Sequence, residues 1–324
     1  MDRLGIGVIG LGRHGLRYAR HLLEPLRTVR LAAVCRRDRA QGTAFAEAHG
    51  VPFHADYREL IRNPDVDAVA VVTPPSQAPA ICLAAVQARK PVLIEKPLAV
   101  TAQDARAMVQ AAADAGVSLM TAQTLRFDRA VLALKEGLPT VGSRRYAVLT
   151  MRLEPRVQAS TQQGDYGGRG VMLEIGIHLL DLVRFLTNEE VMTVRCDVEP
   201  PSGAGGEPRA LAVLQTAGGF ACVVDVSRVS RGRVARAEWI GDQGQLLADW
   251  AHHRLRRVSA DQRIEEWAVP EEPTLPAILE GFAGAILRGE PVPVTGEDGL
   301  RAVELAEACY QSAASGREVR LPQN

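Results

Sequence analysis

Short apolar runs alternate with helix-periodic stretches through the first third of this 324-residue chain. The pattern predicts strands over 6–9, 31–35, 66–72, 92–94 and 117–122, with helices over 14–26, 40–49, 78–88 and 101–115. The run 66–72 is apolar without alternation, as a parallel strand covered on both faces should be. It stops at Thr73-Pro74-Pro75, where proline cannot continue a ladder. Strand–helix alternation of this kind argues for a doubly wound α/β sheet. Past Gln123 the texture changes. Strands are predicted over 146–153, 191–198, 211–214, 220–226, 236–240 and 245–249, with glycine-rich turns at 202–206 and Ala217-Gly218-Gly219. Helices are expected over 171–186, 275–287 and 298–312. The reading is therefore two domains, 1–122 and 123–324, the second an α+β domain with a large, mostly antiparallel open sheet.

Composition narrows the function classes. Lysine plus arginine and aspartate plus glutamate number 38 each, so no basic surplus points to nucleic acid or an anionic membrane. Cys35, Cys82, Cys196, Cys222 and Cys309 form no Cys-x-x-Cys pair and read as buried thiols of a reducing compartment. The first residues run directly into a strand, leaving no room for a signal peptide, and no apolar stretch reaches the roughly 18 residues of a membrane span. A soluble cytoplasmic protein is expected.

Gly10-x-Gly12-x-x-Gly15, between a predicted strand and a predicted helix, matches the dinucleotide fingerprint of a Rossmann domain. Its glycines allow a tight turn, backbone approach to pyrophosphate and close helix–strand packing. Arg13 and His14 lie at the start of the helix, whose dipole favours an anion. At the end of the second strand stand Arg36 and Arg37, with Asp38 only afterwards. Arginine forks fit the 2′-phosphate of NADP, which favours that cofactor. The alternative is two solvated arginines with Asp38 on the ribose of NAD. Glu95-Lys96-Pro97 closes the fourth strand, where open α/β sheets bind ligands, and so offers a lysine to the cofactor's reacting carbon. In the predicted helix 171–186, Glu174, His178 and Asp181 stand at i, i+4 and i+7 on one face. That spacing fits a solvated face, or a carboxylate orienting a histidine that donates and accepts protons.

Together these motifs resemble the glucose–fructose oxidoreductase and inositol dehydrogenase (Gfo/Idh/MocA) family of NAD(P)-dependent sugar and polyol oxidoreductases. The resemblance runs in order through Gly10 to Gly15, Asp67-Ala68-Val69, Thr73-Pro74-Pro75-Ser76, Glu95-Lys96-Pro97-Leu98, Arg126-Phe127, Gly167 to Asp181 and Gly289-Glu290-Pro291 onward. It implies reversible hydride transfer between nicotinamide C4 and a carbinol or carbonyl carbon, with no metal. It makes Lys96 the lysine beside the nicotinamide, with the bond before Pro97 often cis, and His178 the catalytic histidine. Glu174 falls where the family usually has aspartate. Thr73, Pro74, Glu95 and Pro97 match positions lining the cofactor cleft. Gln123, Arg126, Tyr166 and Asp181 are candidate substrate contacts. Two segments depart from the family pattern: Gln77-Ala78-Pro79, where a histidine is usual, and Ala159 to Gln163, where many sugar-reducing relatives carry Trp-Arg. The resemblance also implies a homodimer or homotetramer through the open sheet, whose apolar face would otherwise meet water. The alternative reading is a nucleotide-binding regulator that kept the fold and lost catalysis.

Overall fold

The computed structural model describes residues 3–24, 26–155, 165–201 and 205–322. The segment 159–163 and most of the predicted turn at 202–206 lie outside them. The chain divides into two compact units, Met1–Gln123 with Thr274–Leu300, and Thr124–Pro273 with Arg301–Asn324. A division at 122/123 assigns the segment Thr274–Leu300 to the second domain; in the structure it belongs to the first unit.

The first unit holds strands β1 (Leu4–Ile9), β2 (Val29–Cys35), β3 (Phe53–His54), β4 (Ala68–Val71), β5 (Val92–Glu95) and β6 (Leu119–Ala122). Between them run helices α1 (Arg13–Leu23), α2 (Arg39–His49), α3 (Tyr57–Arg62), α4 (Ala78–Gln87) and α5 (Ala102–Ala115). The strands order β3-β2-β1-β4-β5-β6, every pair parallel. β1 and β4 are buried at every residue, which accounts for their unbroken apolar sequence. The order reverses at β1 and β4, whose paired ends Ile9 and Val71 open the crevice where doubly wound sheets bind ligands. α3 escaped the sequence reading because six residues are too few to show a period; Asp56 caps it through the Arg58 amide at 2.8 Å. The returning helix α8 (Thr274–Arg288) is tied to this unit by Glu280, whose carboxylate accepts the Arg27 amide at 2.9 Å and the Thr28 hydroxyl.

The second unit holds helix α6 (Arg129–Gly137), strand β7 (Arg144–Arg152), helix α7 (Ile177–Thr187) and strands β8 (Val191–Val198), β9 (Arg209–Thr216), β10 (Ala221–Ser227) and β11 (Val234–Gly241). It continues through β12 (Gly244–Asp249), β13 (Arg254–Ser259) and β14 (Ile264–Ala268); then the division between units falls within α9 (Gly296–Ser315), and β15 (Val319–Arg320) ends the sequence of elements. The nine strands order β14-β13-β12-β11-β7-β10-β9-β8-β15. Among the described residues of this sheet, only β7 and β10 pair in parallel. Sequence reading missed β13 and β14 because charged residues interrupt both, and missed α6, which starts at an Asp128 cap on the Ala130 amide at 2.8 Å. β9 alternates buried and exposed positions, leaving Leu211 at 40% and Val213 at 50% exposure on one face. Register puts Val213, Val223, Val148, Glu238 and Leu247 in one row across that face.

Beneath the sheet, α7 buries nearly its whole length, including Asp181 at 1% exposure. Arg126 meets that carboxylate with two parallel bonds, Nε to Oδ2 at 2.8 Å and Nη2 to Oδ1 at 2.6 Å. The guanidinium also lies over the Phe185 ring, 5.3 Å from its centroid. Breaking such a pair strands a desolvated charge, whereas replacing both partners with apolar groups costs far less. Asp181→Ala is therefore expected to lower stability by about 3 kcal/mol in urea unfolding, and adding Arg126→Met to recover most of it.

Candidate active site

The glycine turn is built by close backbone approach. Gly10 has φ +99°, and a Cβ there would strike the Val72 carbonyl at the end of β4. A Cβ at Gly15 would collide with the carbonyl oxygen of Gly10. At Gly12 a Cβ would meet nothing within 4 Å, so the second glycine faces open space. Gly12 is also the N-cap of α1; no side chain caps it and no acidic residue lies in the first turn. The helix therefore presents amides and a positive dipole end to that space, the arrangement a pyrophosphate requires.

A cavity of about 890 Å³ opens here, lined by Gly10, Gly12, Arg36, Arg37, Thr73 and Pro74 among others. The Thr73 hydroxyl is buried with no partner among the described residues, an orphan that a bound ligand would satisfy. Arg36 and Asp38 have local duties. Arg36 donates from Nη1 to the Leu11 carbonyl at 2.8 Å, bracing the turn. Asp38 caps α2, accepting the Gln41 amide at 3.0 Å, and that bond is the chief cause holding its carboxyl below the usual range. Arg37 is exposed on the same rim. Burial pushes the neighbouring Cys35 thiol up to about 12, so it stays protonated and is a poor nucleophile. The cavity's donors, open cradle and cationic rim fit a dinucleotide.

At the end of β5, Glu95 accepts a hydrogen bond from the Tyr18 hydroxyl at 2.7 Å. Tyr18 is wholly buried, and burial followed by the Glu95 charge holds its pKa well above the phenol's ordinary value. The Lys96–Pro97 peptide is cis. Partial burial is the largest influence lowering the His14 pKa; Glu95 opposes it and Lys96 reinforces it, so all three share one electrostatic neighbourhood. Gln123 follows β6 with only 1% exposure, and neither amide atom has a partner among the described residues.

In the second unit, the stretch expected as one α-helix over 171–186 begins instead as a π-helix, Met172–Gly176, and becomes α-helical at Ile177. An α-helical i, i+4 argument therefore does not apply between Glu174 and His178, because the wider turn changes the angular step. Such π turns occur frequently at functional sites. Glu174 binds Arg228, which donates from Nε at 3.1 Å and from Nη2 at 2.5 Å. Asp181, the third residue of the expected face, is the buried partner of Arg126. Tyr166 lies before the π turn, where its carbonyl accepts the Arg169 amide at 3.2 Å.

Three contributors had no local signal in the sequence. Tyr18 sits 77 positions from Glu95, and Arg228 sits 54 from Glu174. Glu207, at 6% exposure, accepts the Gly170 amide at 2.7 Å, the Met172 amide at 2.9 Å and the Tyr310 hydroxyl at 2.9 Å. Only folding brings such pairs together.

Comparison with known proteins gives the class. Residues 4–123 match the NAD-binding Rossmann domain of the Gfo/Idh/MocA oxidoreductase family, and residues 144–321 match its C-terminal alpha/beta domain. The chain belongs to this family of oxidoreductases. It is 30% identical over 331 residues to an inositol 2-dehydrogenase of Rubrobacter xylanophilus, spanning 97% of this chain and 92% of that one. It is also 30% identical over 327 residues to a D-apiose dehydrogenase of Paraburkholderia graminis, spanning 93% and 85% respectively. Among solved structures, an aldose-aldose oxidoreductase from Caulobacter crescentus superposes with a TM-score of 0.90 at 26% identity, covering 99% of this chain and 100% of its own.

The two outer glycines differ in kind from the middle one. Gly12→Ala should leave thermal unfolding near wild type while weakening dinucleotide binding, because its methyl group enters only open space. Gly15→Ala should lower the unfolding temperature itself. Calorimetry with a cofactor fluorescence titration separates the two.

Proposed function

We propose that this protein is a polyol or sugar dehydrogenase working reversibly on a secondary carbinol, with NADP(H) favoured over NAD(H). The reaction class follows from family membership, and the substrate class rests on relatives that are inositol and D-apiose dehydrogenases. Bound nicotinamide would supply hydride exchange at C4. The protein's part is to hold the cofactor and move one proton. His178 is the proposed base that takes the hydroxyl proton in oxidation and returns it in reduction. Lys96, at the end of β5, is proposed to stabilise developing negative charge on the substrate oxygen. Glu174, charge-paired with Arg228, supports the histidine's placement. The buried amide of Gln123, which has no partner among the described residues, is the side chain most available for a substrate or cofactor hydrogen bond, since Arg126 and Asp181 are engaged with one another.

The observation that carries the cofactor preference is the division of labour on the cavity rim. Asp38, the acidic residue available to a ribose, is engaged as a helix cap, while Arg37 is exposed beside it. A planar guanidinium suits a 2′-phosphate. The partly apolar row through Val213, Val223, Val148 and Leu247 supports a second copy of the chain as the covering for the open sheet face. Sedimentation velocity reads that directly, and a monomer at assay concentration would remove it.

Fluorescence titration with NADPH and NADH side by side should show tighter NADPH binding, and Arg37→Ala should lose about tenfold in NADPH affinity with little change for NADH. Equal or stronger NADH binding in the wild type would reverse the preference. Lys96→Ala and His178→Ala should bind cofactor yet lose at least roughly a hundredfold in turnover across a panel of myo-inositol, pentoses and hexoses. Full activity in both would sink the assignment.

A further inference from the structure

We infer that Glu207 and Tyr310 together form a positioning device for His178, acting through the π turn that precedes it; the inference rests on the catalytic reading of His178 above. A helix start leaves amides without intrahelical partners, and here a carboxylate from another segment takes two of them, those of Gly170 and Met172. The Glu207 backbone joins in, its carbonyl accepting the Val171 amide at 3.0 Å. The next amide, that of Leu173, donates to the Tyr310 hydroxyl at 3.2 Å, and that hydroxyl donates onward to Glu207 Oε1 at 2.9 Å. Four consecutive amides, Gly170 through Leu173, are thus held by two residues distant in sequence.

The seat is also sterically exclusive. A Cβ at Gly170 would run into the backbone of Glu207, and a Cβ at Gly206 would run into the Gly170 nitrogen. Two strands of backbone therefore cross in contact where the glycine cluster before α7 meets the segment leading to β9. The carboxylate is buried and negative at the positive end of a helix, a favourable charge arrangement. Burial, followed by the Glu207 charge, raises the Tyr310 pKa far above that of a free phenol, so its proton stays in place as the donor. Two residues after Met172 comes Glu174, clamped by Arg228, and four residues after that comes His178. Pinning four amides at the entrance leaves the turn little freedom to slide into α-helical register. A slide would rotate Glu174 relative to His178. Misplacement of a catalytic group by about 1 Å can cost up to roughly a hundredfold in rate.

The test uses the full-length protein. Glu207→Gln removes the charge and one acceptor oxygen, while Tyr310→Phe removes only the hydroxyl, so the second variant stays informative if the first folds poorly. Circular dichroism establishes the folded fraction at the assay temperature. The His178 ring titration is then followed by NMR in the unliganded protein, and kcat and KM are measured with the best substrate of the panel above. The expected result is a displaced His178 titration in both variants and a kcat lowered about tenfold, with NADPH affinity unchanged. The double variant should be no worse than the poorer single, because the two residues act as one unit. Glu207→Asp, which keeps the charge on a shorter arm, should recover part of the rate. Wild-type titration in both folded variants, or wild-type kcat in both, would overturn the inference. Failure of the catalytic reading is distinguishable, because it appears as retained turnover in His178→Ala whatever Glu207 does.

Discussion

The closest constraint in the first unit is a backbone contact that only glycine permits. The turn after β1 passes so near the end of β4 that Gly10 has no room for a side chain, and α1 starts so near the turn that Gly15 has none either. These contacts bring the helix N-terminus to the point where the strand order reverses. The cavity, its amide donors and its arginine rim all depend on that approach. Hydrophobic burial of β1 and β4 supplies the bulk driving force, yet it would tolerate many turns. The missing methyl groups select this one.

The second unit solves a different problem, the placement of carboxylates inside or against a core. Asp181 takes a bidentate arginine, Glu174 takes Arg228, and Glu207 takes backbone amides and a phenol. Each solution satisfies the charge with hydrogen bonds, without which burial would be prohibitive. Each also joins α7 or the π turn before it to a distant part of the same unit. The helix carrying His178 is thus fixed from three directions, by Arg126 just before α6, by Arg228 just after β10 and by Glu207 in the segment before β9. The proposed acid–base role of His178 would need a rigid support of this kind, because a proton-transfer geometry is lost by small displacements.

Charge assignments on the cofactor rim show how one residue type changes meaning with its hydrogen bonds. Arg36 and Arg37 are indistinguishable in sequence, yet one braces the glycine turn through the Leu11 carbonyl and the other is exposed. Asp38 has a cap's geometry, bonded to the Gln41 amide. Arg126 and Asp181 sort in the same way: each is expected from sequence as a substrate contact, and in the structure the two form a mutual pair.

The sequence alone determined what depends on neighbours along the chain. Apolar runs and their spacing mark the strands of the parallel sheet, because burial on both faces requires uniform hydrophobicity. The glycine fingerprint is legible because the turn is local, and the Glu95-Lys96-Pro97 strand end likewise. Short or charge-interrupted elements such as α3, β13 and β14 were not legible, since too few residues repeat to define a period. Tertiary structure alone decided that 274–300 returns to the first unit and that the entry to α7 is π-helical. It alone paired Glu174 with Arg228 and seated Glu207 against Tyr310. The physical reason is the same in each case. Hydrogen bonds and ion pairs between residues far apart in sequence leave no periodic trace in it, and they exist only once burial has fixed the segments side by side.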